Sequence, residues 1–138
     1  MPRQDTSFPT KFSLILKIQN LCDYTDKITS NEKLFKRPLR QTIVKRLQDS
    51  AYSILKYATT ANALLIDNAN DAPKRLENER LAIAECDYFT TLIEIAANNS
   101  AIGKRRADYW AGIVRSIRRM AYNWYCSDAA RARKASLA

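Results

Sequence analysis

At 138 residues, with 46% apolar side chains, the chain is long enough to bury one hydrophobic core. Its two glycines and four prolines are too few for a doubly wound nucleotide fold or a low-complexity chain, and with no histidine it lacks the commonest general base near neutral pH. The formal net charge of +9 points to an acidic partner.

The stretch Met1 to Pro9 is polar and does not read as a secretory signal. The longest apolar runs, such as Ala63-Leu64-Leu65-Ile66, are too short to span a bilayer. Cys22, Cys86 and Cys126 are widely spaced and odd in number, which fits reduced thiols in a cytoplasmic protein rather than a metal site.

Four helices follow from period and punctuation. The first covers residues 13–28, where Leu14, Ile15, Ile18, Leu21, Cys22, Thr25 and Ile28 recur at steps of three and four. Thr29-Ser30-Asn31 breaks it. The second is expected to start near Pro38, because a proline in a first turn has no helical N–H to lose. Leu39, Ile43, Leu47, Ala51, Ile54, Ala58, Ala61 and Leu65 form its inward stripe, with Asn62 at the edge of that arc. Lys45 and Asp49, on the opposite side, are spaced for a surface ion pair.

The third helix covers residues 73–98, with Leu81, Ala84, Tyr88, Leu92 and Ile95 inward and Cys86, Phe89 and Ile93 widening the arc. Glu79, Asp87 and Glu94 then fall on a solvated acidic side. The fourth starts near Ile102 and places Tyr109, Trp110, Ile113, Ile117, Met120 and Trp124 inward. Core packing is the expected role of Tyr109, Trp110 and Trp124, with a stacking platform for bases as the alternative. These readings give an all-α, antiparallel four-helix bundle over residues 13–126. Residues 1–12 form an N-terminal extension, and residues 127–138 read as a flexible basic tail.

Charge is unevenly placed. Residues 70–100 carry three basic and six acidic groups, whereas residues 101–138 carry nine basic and two acidic. On the fourth helix, Lys104, Arg115, Arg118 and Arg119 oppose the apolar stripe, and Arg105 and Arg106 sit beside Lys104. These six are the candidate binding residues, for nucleic acid or a nucleic-acid-bearing partner. Such a patch implies contact with a phosphate backbone rather than base readout. No glycine-rich phosphate loop, metalloprotease pair or inward Glu-x-x-His pattern is present, so no catalytic residue, cofactor or metal is expected.

Phe12-Ser13-Leu14, Leu39-Arg40-Gln41, Arg46-Leu47-Gln48, Ala61-Asn62, Lys74-Arg75-Leu76, Ile102-Gly103-Lys104-Arg105-Arg106, Tyr109 and Trp124 together resemble the accessory variability determinant family of diversity-generating retroelements. The resemblance covers about residues 8–127. Where family members end in a glycine-glycine-tryptophan stretch, this chain has Tyr122-Asn123-Trp124. The resemblance implies a homo-oligomeric barrel, a pentamer, without catalytic activity. It also implies binding to a reverse transcriptase and its RNA template, as RNA or an RNA/DNA hybrid, in mutagenic retrohoming. The ribosomal-RNA intervening-sequence bundle proteins share the architecture and imply a protein-interaction or structural module instead.

Overall fold

The computed structural model describes residues 7–137, with side chains from Ser13 to Ser136. Four helices carry the fold: α1 (Ser7–Thr29), α2 (Lys45–Ala63), α3 (Asp71–Asn99) and α4 (Lys104–Leu137). Each packs on the next, and α4 closes back on α1.

Bonds between helices fix their directions. Cys22 donates to the Ala51 carbonyl and Gln48 to Thr29 Oγ1, so α1 and α2 run in opposite senses. Ser50 to Glu85 and Arg75 to Leu64 show the same for α3 against α2. Arg118 to Asp87 and Arg75 to Asp128 complete the alternation for α4. The expected antiparallel four-helix bundle is the observed one.

The stripe read for α1 is the stripe that is buried, although the helix starts at Ser7 rather than Ser13. Between α1 and α2, Phe35 leaves the loop and inserts fully into the core. Pro38 opens a 3-10 turn over Arg37–Leu39, and a single π-helical turn over Arg40–Val44 leads into α2. The buried stripe matches expectation from Ile43 to Ala61; Asn62, still within α2, faces solvent, and Leu65 is exposed because the helix stops at Ala63.

Trp110 is the centre of the core. Its ring is fully buried and meets Phe89, Tyr24 and Phe35 edge-on at 5.7, 6.0 and 6.4 Å between centroids. Such edge-to-face pairs suit the aromatic quadrupole. The indole N–H donates to Thr25 Oγ1 at 3.2 Å, so the one polar atom of the ring is satisfied.

Three expectations are corrected. On α3 the buried apolar residues are Ala82, Cys86, Phe89, Leu92, Ile93 and Ala96, whereas Leu81, Ala84, Tyr88 and Ile95 are exposed. On α4, Ala107, Val114 and Ala121 join Trp110, Ile117 and Trp124 inward, Ile113 and Met120 are half-buried, and Tyr109 is 62% exposed. Finally, α4 runs eleven residues beyond Cys126, through the stretch expected to fray. Ala129, Ala130, Ala132 and Ala135 favour helix there, and Ala132 and Ala135 line a groove against Ile66 and Leu76. Asp128, buried against Arg75, anchors that last part.

Among the described residues, no helix is long and apolar enough to cross a membrane.

Candidate polyanion-binding face

All six candidate residues lie on α4, but the structure sorts them into two groups. Lys104 and Arg118 are engaged. Lys104 Nζ meets Asp108 Oδ2 at 2.8 Å one turn on, and that hydrogen bond raises its pKa. Arg118 reaches across to α3, with Nε at 2.8 Å and Nη2 at 3.4 Å from the two Asp87 oxygens. The bond to Asp87 raises the guanidinium pKa, and the pair clamps α4 to α3. Exposed pairs of this kind contribute at most about 1 kcal/mol.

Arg105, Arg106, Arg115 and Arg119 form the other group. None makes an ion pair with a described residue, and all four are exposed. Arg115 and Arg119 are one turn apart and share a side with Arg105, which is about three turns earlier. Arg115 and Lys104 also line a groove of about 610 Å³ between α3 and α4, with Glu94, Asn98 and Ser100 on its other wall. Arg106, nine residues before Arg115, falls on the opposite side of α4, and its charge acts on Tyr24 of α1.

On that second side, Tyr24 and Tyr109 meet edge-on at 5.5 Å between centroids. They sit in a groove of about 440 Å³ between α1 and α4, together with Lys17, Lys27 and Asp23. Burial raises the Tyr24 phenol pKa, and Tyr109 adds to the rise while the Arg106 charge opposes it. A largely exposed aromatic ring flanked by cations offers both stacking and charge to a single strand. Sequence reasoning assigned Tyr109 to the core because it shares the three- and four-residue steps of Trp110 and Ile113. Its exposure follows from a core direction centred on Trp110, Val114 and Ile117, which turns position 109 toward the α1 edge.

The acidic residues expected together on one solvated side of α3 are separated. Asp87 is bound by Arg118, and Glu94 is exposed beside the α3–α4 groove. Glu79 is fully buried, which corrects its expected place. Its Oε2 lies 3.3 Å from Arg75 Nε, and the same nitrogen is 2.8 Å from Asp128 Oδ2. Arg75 Nη1 donates to the Leu64 carbonyl at 2.7 Å, and its guanidinium lies 5.4 Å from the Trp124 ring centroid. Burial pushes the Glu79 carboxyl up to about 9, the hydrogen bond and charge of Asp128 add to the rise, and Arg75 opposes it. With a proton on Glu79, the remaining carboxylate, Asp128, is held by Arg75 and, at its other oxygen, by Arg131 at 3.5 Å. The cluster ties α3, α4 and the end of α2 together.

The three cysteines are free thiols, as expected for reduced residues. Burial pushes the thiols of Cys22 and Cys86 up to about 12, so neither is a nucleophile near neutral pH.

No family model, curated protein or solved structure matches this chain.

Proposed function

We propose that the chain is an interaction module, a four-helix bundle that holds single-stranded nucleic acid against the outward side of α4. The observation that carries this reading is the set of exposed arginines on that side, Arg105, Arg115 and Arg119, with Arg106 on the α1 side, all without an ion-pair partner among the described residues. Arginine suits a phosphate backbone because its planar fork donates two parallel hydrogen bonds. Tyr109, exposed in the groove that Lys17 and Lys27 of α1 also line, favours a nucleic acid over an acidic protein, since it gives unpaired bases a surface to stack on. Within this reading the sequence resemblance supports a narrower role. The partner would be a reverse transcriptase with its RNA template, and the chain a non-catalytic accessory subunit in a homo-oligomer.

The test replaces Arg105, Arg115 and Arg119 with glutamine together and leaves Arg118 in place to hold α3. Thermal stability is expected to stay within about 1 kcal/mol of the parent, because none of the three bonds another element. Binding of a single-stranded RNA oligonucleotide should weaken, and the slope of log K against log salt should become shallower by about 2. Unchanged affinity and slope would place the nucleic acid elsewhere or nowhere on the chain.

A further inference from the structure

Helix α3 carries a second apolar stripe that no described part of the chain covers. Leu81, Tyr88 and Ile95 recur every seven residues and are 37%, 47% and 44% exposed, with exposed Ala84 and Thr91 between them. That spacing keeps them on one side of the helix over about 21 Å. Toward Ile95 the stripe opens into a groove of about 410 Å³ whose other wall holds Leu39, Thr42, Ile43 and Arg46. The helix is therefore apolar on two sides, one packed in the bundle and one partly exposed. A continuous exposed apolar surface marks a place where something docks.

We propose that this stripe is the contact face for a second copy of the chain, packed antiparallel about a two-fold axis near Tyr88. The stripe is self-complementary about that residue. Leu81 lies seven residues before Tyr88 and Ile95 seven after, so reversal sets the Leu81 of each copy beside the Ile95 of the other. Charge follows the same symmetry. Arg80 lies eight residues before Tyr88 and Glu94 six after, so each Arg80 comes beside the Glu94 of the other copy.

Both groups have capacity for such a contact. Arg80 meets only exposed Glu77, at 3.7 Å, and Glu94 makes no ion pair with a described residue. Asp87, on the same flank, is already neutralised by Arg118 and does not oppose its own copy. A strongly acidic or strongly basic stranger would meet one like charge on this flank, whereas a reversed second copy meets two opposite ones. The contact is isologous, unlike the head-to-tail contacts of the five-membered ring that the sequence resemblance implies. Its apolar stripe, Leu81, Tyr88 and Ile95, lies off the α3–α4 groove that Arg115 and Lys104 line, and only Glu94 borders both.

The test needs no nucleic acid. Light scattering and sedimentation of the full chain over a range of concentrations should show a reversible dimer. Tyr88→Glu, and separately Ile95→Lys, should give a monomer with the helical circular dichroism and thermal midpoint of the parent. Arg80→Glu alone should weaken the dimer roughly tenfold, and adding Glu94→Arg should restore it. A parent that stays monomeric, a mass corresponding to an odd number of chains, or a dimer indifferent to both Tyr88→Glu and Ile95→Lys overturns the proposal. Failure of Glu94→Arg to rescue Arg80→Glu overturns the antiparallel pairing.

Discussion

Replacing Arg75 with methionine is expected to destabilise the chain by about 3–5 kcal/mol, the usual effect of removing one partner from a buried ion pair. Arg75, Glu79 and Asp128 are 4%, 0% and 1% exposed, so water cannot replace the lost guanidinium. Its removal leaves the Asp128 carboxylate without its 2.8 Å partner and the Leu64 carbonyl without its donor. The loss is a large part of the 5–15 kcal/mol by which a domain is ordinarily folded. Urea unfolding measures it directly, and a change below about 1 kcal/mol would mean that the cluster is hydrated.

Glu79 in the same cluster should behave differently. Its folded-state pKa lies above the ordinary 4.5, near 9, because burial and Asp128 disfavour its charge. Between those values the folded chain holds a proton that the unfolded chain has released, so unfolding releases a proton there. Stability from this group is therefore full below about 4.5 and falls as pH rises toward 9. The steepest loss for one proton is about 1.4 kcal/mol per pH unit. Glu79→Gln keeps the neutral shape and should remove that component of the pH dependence, while Arg75→Met, which takes away the charge that opposes the rise, should retain it.

The second large effect belongs to Trp110. Trp110→Ala should cost about 3–5 kcal/mol, from lost burial and the cavity left behind. Three other elements meet on this ring, through Tyr24 and Thr25 of α1, Phe35 of the following loop and Phe89 of α3. The Thr25 hydroxyl, buried completely, would also lose its indole donor. Loss of near-ultraviolet circular dichroism with helical content retained would show that Trp110 fixes side-chain packing. Unchanged unfolding midpoints would contradict its central place.

Much of the fold was legible because α1 and α2 each offer one apolar stripe and polar residues elsewhere. Helix α3 offers two, shifted by one residue: Leu81, Tyr88 and Ile95 against Ala82, Phe89 and Ala96. Periodicity alone cannot choose between them. The choice is made by partners far along the chain, with Phe89 meeting Trp110 and Ser50 donating to Glu85 across α2. The buried cluster was half visible, since Arg75 and Glu79 are one helical turn apart and spaced to pair. Its third member, Asp128, is 53 residues further on, and only the folded chain brings it in. The alanines between Ala129 and Ala135 were a readable signal that α4 continues, outweighed by the basic side chains among them. For the binding face, position in sequence located the six candidates, but only Asp87 and Asp108 distinguish engaged Arg118 and Lys104 from the outward arginines.

The central claim is that the outward arginines of α4 hold a phosphate backbone. Its most direct test is the affinity of the unaltered chain for a single-stranded RNA oligonucleotide as salt rises from about 50 to 200 mM. The three arginines on the outward side, Arg105, Arg115 and Arg119, each displacing one condensed cation, predict a linear fall of log K against log salt with a slope of about −2. A slope near zero, or no binding at the lowest salt, would contradict the claim.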